Sequence, residues 1–141
     1  MAAQYIVDSS VILKWLNGSK EEDLEQALEL LYWGETEKAY LFSSELCIYE
    51  VFNVLVRGKL LRGKILEEAL EVFWRLPLIL LATDQATSQA SARIAVEQNI
   101  TMYDAVFLSL AFQHDIPLIT SNIKHHKSTD TCNVIPLGNW K

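Results

Sequence analysis

Three acidic side chains lie at positions from which they could bind a metal ion together. Asp8 follows a short apolar run, Glu50 interrupts an apolar helical stretch, and Asp104 falls in the first turn of another helix. Carboxylate oxygens are the ligands that Mg²⁺ and Mn²⁺ prefer, whereas zinc usually recruits His or Cys. The three acids therefore predict a site for Mg²⁺ or Mn²⁺.

Each acid also has a structural role that competes with metal binding. Asp8 could cap a helix or form an Asx-turn, and Asp104 follows Thr101 at the spacing of a capping box. Glu50 is harder to explain in this way, because a buried carboxylate without a compensating partner is costly. Asn53 lies three residues further along the same helix face and is predicted to support Glu50. Glu50 is thus the acid that most favours a functional site.

The elements that position these acids are predicted from short β-rich runs that alternate with longer helical patterns. Such alternation implies crossover connections and a parallel sheet covered on both faces. The predicted fold is α/β, with three α/β/α layers around a small parallel sheet of four to five strands. Strands are predicted at residues 5–7, 39–42, 78–82 and 117–120, with 134–135 as a fifth, and helices at 11–16, 21–33, 45–56, 65–76, 85–98 and 102–114.

Local signals add detail to several helices. Ser9 or Ser10 is predicted to cap the first helix, and Asp84 the helix over 85–98, because serine and aspartate are favoured at that position. The second helix is amphipathic, with an acidic outer face. Its buried face is predicted to consist of Leu24, Ala27, Leu28 and Leu31.

The order of the elements predicts that the three acids converge. Asp8 ends the first strand, Glu50 lies on the helix after the second, and Asp104 opens the helix before the fourth. In open parallel sheets, ligands bind outside the carboxyl ends of the strands, where the strand order reverses. If the first and fourth strands are neighbours, all three acids can reach one cleft.

Length, composition and net charge restrict the kinds of protein that this chain can be. The length of 141 residues and the 50% apolar content suit one domain over residues 1–141. The net charge of −6 argues against binding nucleic acid by bulk electrostatics, although a bound metal can reverse the local field. Cys47 and Cys132 suit a reduced cytoplasmic chain. No signal peptide is predicted, and the most apolar run, 76–82, is too short to span a bilayer.

The chain resembles the PIN-domain nucleases, of the small type found as VapC toxins in VapBC toxin–antitoxin pairs. The resemblance covers essentially the whole chain and rests on four segments in order. The family's first acidic motif is matched by Ile6-Val7-Asp8-Ser9-Ser10-Val11 with Leu13 to Leu16, and the second by Glu45-Leu46 through Glu50-Val51 with Asn53 and Leu55. The third is matched by Tyr103-Asp104-Ala105 with Leu108 and Ala111. The strand before the fourth motif is matched by Pro117-Leu118-Ile119-Thr120.

The resemblance implies an endoribonuclease that depends on Mg²⁺ or Mn²⁺ and hydrolyses RNA phosphodiester bonds. Asp8 and Asp104 would bind the metal directly, and Glu50 directly or through water. Ser10 and Thr120 would hold the carboxylates or the metal's water molecules in place. The resemblance also implies a homodimer and a small antitoxin partner whose tail occupies the acidic cleft.

The chain departs from the family at the fourth acidic motif, where Asn122 replaces the usual aspartate. Asn122 is still predicted to belong to the catalytic set, because its amide oxygen can orient water or a weakly held ion. Its neutral side chain removes one negative charge from the site. We therefore expect one firmly held ion, with any second ion arriving alongside the RNA.

Two basic segments are candidates for contacting RNA, with solvated surface as the alternative for both. The first contains Arg57, Lys59 and Arg62, together with Lys64. The second contains Lys124 and Lys127, which flank His125 and His126.

Two other functions compete with the ribonuclease. One is a catalytically weak or silent PIN module that binds RNA or a protein partner. Asn122 at the fourth acidic position is the feature that supports this alternative. The other is a flavodoxin-like regulatory domain, which would require paired acids after the first strand. Partner surfaces or the core could account for the tryptophans, which are Trp15, Trp33, Trp74 and Trp140.

Overall fold

The computed structural model of the chain describes residues 1–16, 22–123 and 133–140. Within these ranges strands and helices alternate as the sequence predicts. The strands are β1 (Ala3–Val7), β2 (Ala39–Ser44), β3 (Leu78–Leu81), β4 (Leu118–Thr120) and β5 (Val134–Pro136). The helices are α1 (Ser9–Leu16), α2 (Leu24–Glu35), α3 (Leu46–Asn53), α4 (Gly63–Arg75), α5 (Gln85–Gln98) and α6 (Met102–His114), with a π-helical turn at Val54–Gly58 and a 3-10 turn at Leu137–Asn139.

The sheet is fully parallel and has the strand order β3-β2-β1-β4-β5. The chain therefore builds outward from β1 to one edge and then returns to the other side of β1. This reversal places the switch point between β1 and β4, where Ile6 pairs with Leu118 and Val7 with Ile119. The predicted α/β/α fold with a small parallel sheet is confirmed, including the fifth strand.

The core lies between this sheet and its helices, and α6 is its central helix. The residues from Ala105 to Ala111 of α6 are all buried. A helix that is apolar on nearly all faces is stable only when protein surrounds it. Its burial fixes the N-terminal turn of α6, which carries Asp104, near the carboxyl ends of the central strands.

Two predicted helix caps are confirmed, and a third is wrong. The Asp84 carboxylate accepts a hydrogen bond from the Thr87 amide at 2.8 Å, and Thr101 Oγ1 accepts one from the Asp104 amide at 3.1 Å. The first helix is capped by neither Ser9 nor Ser10, which both lie inside α1. Asp8 takes that place, because a carboxylate can accept hydrogen bonds from several amides of a first turn at once.

The buried face of α2 also differs from the prediction. Ala27 and Leu30 are the buried residues, whereas Leu28 is 49% exposed. Helix α2 begins at Leu24 and packs against α1 and β2. These contacts, and not the pattern of acidic residues in the sequence, determine which face of α2 is buried. In the described part of the chain, no helix has the length and apolar character needed to cross a membrane.

Candidate active site

Asp8 occupies the carboxyl end of β1 and is held by hydrogen bonds on both carboxylate oxygens. Oδ1 accepts from the Ser10 amide at 3.1 Å and from Ser10 Oγ at 2.5 Å. Oδ2 accepts from Thr120 Oγ1 at 2.5 Å. The side chain is only 3% exposed, so these donors replace the water that burial removes. Asp8 is both the cap of α1 and a fixed carboxylate at the switch point.

Thr120 and Ser10 join the ends of β1 and β4 around this carboxylate. Thr120 Oγ1 accepts from the Asn122 amide at 2.9 Å, and Ser10 Oγ accepts from the Ser121 amide at 3.0 Å. These bonds fix the loop after β4 against α1. Of the three residues predicted to support the acids, Ser10 and Thr120 therefore contact Asp8 directly.

Glu50 approaches from α3 and is half-buried. Ser9 Oγ donates to Glu50 Oε1 at 2.6 Å, a hydrogen bond between α1 and α3. Ser9 and Ser10 thus orient two different carboxylates from successive positions of α1. From the sequence alone, capping was the role predicted for Ser9, and its contact with Glu50 was not foreseen.

Asp104 approaches from the first turn of α6 and is also half-buried. The cap hydrogen bond with Thr101 uses the backbone amide of Asp104 and not its carboxylate. The capping role and a chemical role of the carboxylate are therefore compatible in one residue.

All four residues predicted to be catalytic line a single cleft of about 230 Å³. Asn53, predicted to support Glu50, is exposed and does not line this cleft. Val54 does, because it lies one helical turn after Glu50. The lining comprises Asp8, Ser9, Ser10, Leu13, Glu50, Val54, Asp104, Phe107 and Asn122.

The donor atoms of the cleft suit a hard cation, because its described lining residues offer carboxylate, hydroxyl and amide oxygens and include no His or Cys. The carboxylates are nevertheless spread across the cleft. Among the residues that the structure describes, no three His, Cys, Asp or Glu side chains lie close enough together to hold a metal ion. The ligands thus fit a divalent metal in chemical type.

A cysteine lies beneath the cleft, three residues before Glu50. Cys47 is buried, and this burial is the main cause that raises the pKa of its thiol to about 11. A hydrogen bond with Ser43 opposes the rise, and the negative charge of Glu50 adds to it. The thiol is therefore protonated at neutral pH, which suits a packing role and not a nucleophilic one.

Of the basic residues predicted to contact RNA, those that the structure describes do not line the acidic cleft. Arg62 donates hydrogen bonds to the Val56 and Leu61 carbonyls. Arg57 and Lys64 are exposed, and neither lines the cavities at this end of the sheet. Lys124 and Lys127 lie outside the described residues. Only Lys59 lines a cavity beside the acids, together with Ser10 and Asn122.

Sequence reasoning missed Lys14, which lines the same cavity as Lys59. The available signal was its spacing on α1. Lys14 follows Ser10 by four residues, and residues at that spacing share one helix face.

Comparison with known proteins matches most of the chain to one family. The family model described as the PIN domain matches residues 5–130. Comparison with curated protein sequences finds no relative that matches the chain.

Solved structures from three bacteria share the fold at low sequence identity. VapBC2 from Rickettsia felis, bound to a DNA fragment from its promoter, has a TM-score of 0.69 and 18% identity over 98% of this chain and 99% of its own. A toxin–antitoxin complex from Klebsiella pneumoniae has a TM-score of 0.68 and 17% identity, covering 94% and 97%. VapC20 from Mycobacterium tuberculosis, a sarcin-ricin loop cleaving toxin, has a TM-score of 0.62 and 14% identity, covering 83% and 87%.

Proposed function

The chain belongs to the PIN domain family, and on that premise we propose that it is a divalent-metal-dependent endoribonuclease of the VapC toxin type. One observation carries the proposal. Asp8, Glu50, Asp104 and Asn122 come from four separate parts of the chain and line one cleft at the switch point of the sheet. Structural roles alone would not require these four side chains to share a cleft.

The residues divide the proposed work between metal binding and support. Asp8 and Asp104 would hold Mg²⁺ or Mn²⁺ directly, and Glu50 directly or through water. When bound, the cation would lower the pKa of an attacking water molecule and offset charge on the phosphate. Thr120 keeps the Asp8 carboxylate in one orientation by its hydrogen bond to Oδ2, and Ser9 does the same for Glu50.

The number of ions follows from the fourth position of the site. Asn122 contributes a neutral amide where an aspartate would add a negative charge, so the cleft has fewer charges to offset a second cation. We propose one firmly held ion, with a second arriving together with the negatively charged RNA.

The biological role follows by analogy with the structural relatives. VapC20 is described as a toxin that cleaves the sarcin-ricin loop, which supports RNA as the substrate class. The Klebsiella and Rickettsia structures are toxin–antitoxin assemblies, which supports an antitoxin partner for this chain. From the resemblance to the family we also propose a homodimer, and from the two widely spaced cysteines a cytoplasmic location.

The first prediction separates catalysis from capping at Asp104. Asp104→Asn keeps the backbone amide that bonds to Thr101, so its melting temperature should stay close to that of the wild type. Cleavage of single-stranded RNA in Mg²⁺ or Mn²⁺ should fall by at least about 100-fold, because the ion's contribution of several kcal/mol is lost. The measurements are thermal unfolding and a gel-based cleavage assay, with EDTA as the metal-free reference.

Thr101→Ala is the matched control for this test. It removes the cap acceptor and leaves the carboxylate, so it should lower the free energy of unfolding by about 0.5–2 kcal/mol and retain cleavage. A stable Asp104→Asn variant with full activity would refute the proposed role of Asp104.

A catalytically silent module is the second candidate, and the spread of the acids across the cleft favours it. Calorimetric titration with Mn²⁺ separates the two functions. Saturation near one ion per chain in the wild type, and its loss in Asp104→Asn, would support the nuclease. A wild-type chain that neither binds Mn²⁺ nor cleaves RNA would favour the silent module.

A further inference from the structure

A second cavity, of about 320 Å³, adjoins the acidic cleft and has a different character. It shares Ser10, Leu13, Val54 and Asn122 with the cleft, so these residues form a common wall. The residues that belong to it alone are Lys14, Lys59 and Ser121. One side of the shared wall thus carries carboxylates, and the other side carries two lysines.

Lys14 owes its place to the helix that Asp8 caps. Lys14 lies one turn after Ser10 on α1 and is only 8% exposed, which is unusual for a lysine. Ser10 contacts both Asp8 and the Ser121 amide. The position of Lys14 relative to the acids is therefore set by the same hydrogen bonds that fix the site.

Lys59 owes its place to the π-helical turn after α3. Its amide donates to the Val54 carbonyl at 2.7 Å, five residues earlier, which closes the wide turn. Val54 lines both cavities. The turn therefore brings Lys59 towards Lys14, and turns of this kind occur frequently at functional sites.

The chemistry of this second cavity matches a phosphate group. Two ammonium groups, the Asn122 amide and the Ser121 hydroxyl can all donate hydrogen bonds to phosphate oxygens. The chain as a whole carries a charge of −6, so attraction for a polyanion must come from a local group of cations. A substrate whose reacting phosphate lies among carboxylates needs such a contact close by.

We propose that Lys14 and Lys59 bind a phosphodiester group of the RNA next to the one that is cleaved. The inference rests on the proposed function, whose substrate it places across the two cavities. Lys14 and Lys59 would thus fix the position of the strand, while the acids act on the neighbouring phosphate.

The test measures RNA binding in the Asp104→Asn background, where cleavage does not interfere. Lys14→Gln and Lys59→Gln are compared by fluorescence anisotropy with a labelled single-stranded RNA between about 50 and 200 mM KCl. Each substitution should reduce the slope of log Kd against log salt by about 0.7 and weaken binding about fivefold near 0.1 M salt.

Lys38→Gln is the charge-matched control. Lys38 precedes β2, at the opposite end of the sheet from the cleft, and its removal should leave the slope unchanged. Lys59 is exposed, so Lys59→Gln decides the test if Lys14→Gln does not fold. Slopes equal to that of Lys38→Gln would overturn the inference.

The outcome is separable from that of the proposed function. Asp104-dependent cleavage with unchanged slopes would refute the phosphate contact and leave the nuclease intact. Reduced slopes in a chain that does not cleave RNA would support the phosphate contact and refute the nuclease.

Discussion

Asp8 shows how one residue can serve the fold and the site at once. Its carboxylate is buried at the end of β1, caps α1 and accepts from Thr120 on β4. Buried charge is tolerated there because hydrogen-bond donors surround it. Substitution of Asp8 would therefore disturb stability and chemistry together, whereas Asp104 allows the two to be separated.

The Thr120 hydroxyl provides the sharpest test of support for Asp8. Thr120→Val removes the donor to Oδ2 and the acceptor for the Asn122 amide, so both of these hydrogen bonds are lost. The free energy of unfolding should fall by about 1–3 kcal/mol. RNA cleavage should fall about 10–100-fold, as for other supports of metal ligands. Urea unfolding and the cleavage assay measure the two effects.

Thr120→Ser keeps the hydroxyl and removes only a buried methyl group. It should retain cleavage and lose about 1 kcal/mol of stability. Equal cleavage by the Val and wild-type proteins would show that the hydroxyl does not support the site.

Cys47 should be chemically silent in the folded protein. Its pKa of about 11 leaves little thiolate at pH 8, and burial blocks access. In a Cys132→Ser background, alkylation by iodoacetamide should be at least about 100-fold slower in the folded chain than in urea. Rapid alkylation in the folded state would contradict the packing role.

The same pKa predicts how stability changes with pH. Between pH 9 and 11 the folded chain retains the thiol proton that the unfolded chain has released, because the ordinary pKa is 9.0 and the folded value about 11. This contribution to stability is present below pH 9 and is lost as the pH rises to 11. The loss should be absent in Cys47→Ala.

At the residue scale, the sequence predicted the acids better than it predicted their surroundings. Glu50 was evident because a single carboxylate interrupts an apolar helix, and Asp8 because it ends a strand. Lys14 was not predicted, since its four-residue spacing from Ser10 places both on one helix face but does not tell a cavity wall from a solvated surface. Its place depends on α1, the turn after α3 and the loop after β4 coming together.

Among the elements, type and order follow from local patterns, while the ends and faces depend on packing. The predicted regular helix over 45–56 is α3 followed by a π-helical turn. Such a turn requires five-residue hydrogen bonds, as from the Lys59 amide to Val54, which no helical periodicity encodes. Leu28 on α2 is exposed because packing against the neighbouring elements determines which face of the helix is buried, and local periodicity does not encode this packing.

The packing of α2 against β2 makes a specific prediction at Gly34. Alanine normally stabilises a helix by about 1 kcal/mol relative to glycine. At Gly34, however, a Cβ atom would lie 2.7 Å from Leu41 Cδ1 and 3.0 Å from Pro77 Cγ. Leu41 is only 1% exposed and has little room to move. Gly34→Ala should therefore lower the free energy of unfolding by about 1–3 kcal/mol, measured in urea.

Gly58 provides the control for this substitution. A Cβ atom there would make an ordinary contact, 3.5 Å from Val54 Cγ1. Gly58→Ala should leave the stability within about 0.5 kcal/mol of the wild type or raise it. If Gly34→Ala were the more stable variant, α2 would have to lie further from β2 than the structure shows.

At the scale of the whole molecule, the last strand connects distant parts of the chain. β5 pairs with β4, and Pro136 lies opposite Thr120 at the active-site end. The following Trp140 is 6% exposed and packs edge-on against Tyr5 of β1 and Trp33 of α2. From the sequence alone, the tryptophans could belong either to partner surfaces or to the core. Contacts across so many residues leave no local pattern, so only the fold assigns Trp140 to the core.

Trp140→Ala should therefore destabilise the molecule far more than loss of an exposed tryptophan. Removal of a buried indole creates a cavity and should cost about 3–5 kcal/mol in urea unfolding. Trp74 is the matched control, since it is 58% exposed and contacts Phe73 edge-on. Trp74→Ala should cost no more than about 1.5 kcal/mol. Similar losses of stability in the two variants would mean that Trp140 does not hold β5 to the core. The pairing of Pro136 with Thr120 would then have to be stabilised by other contacts.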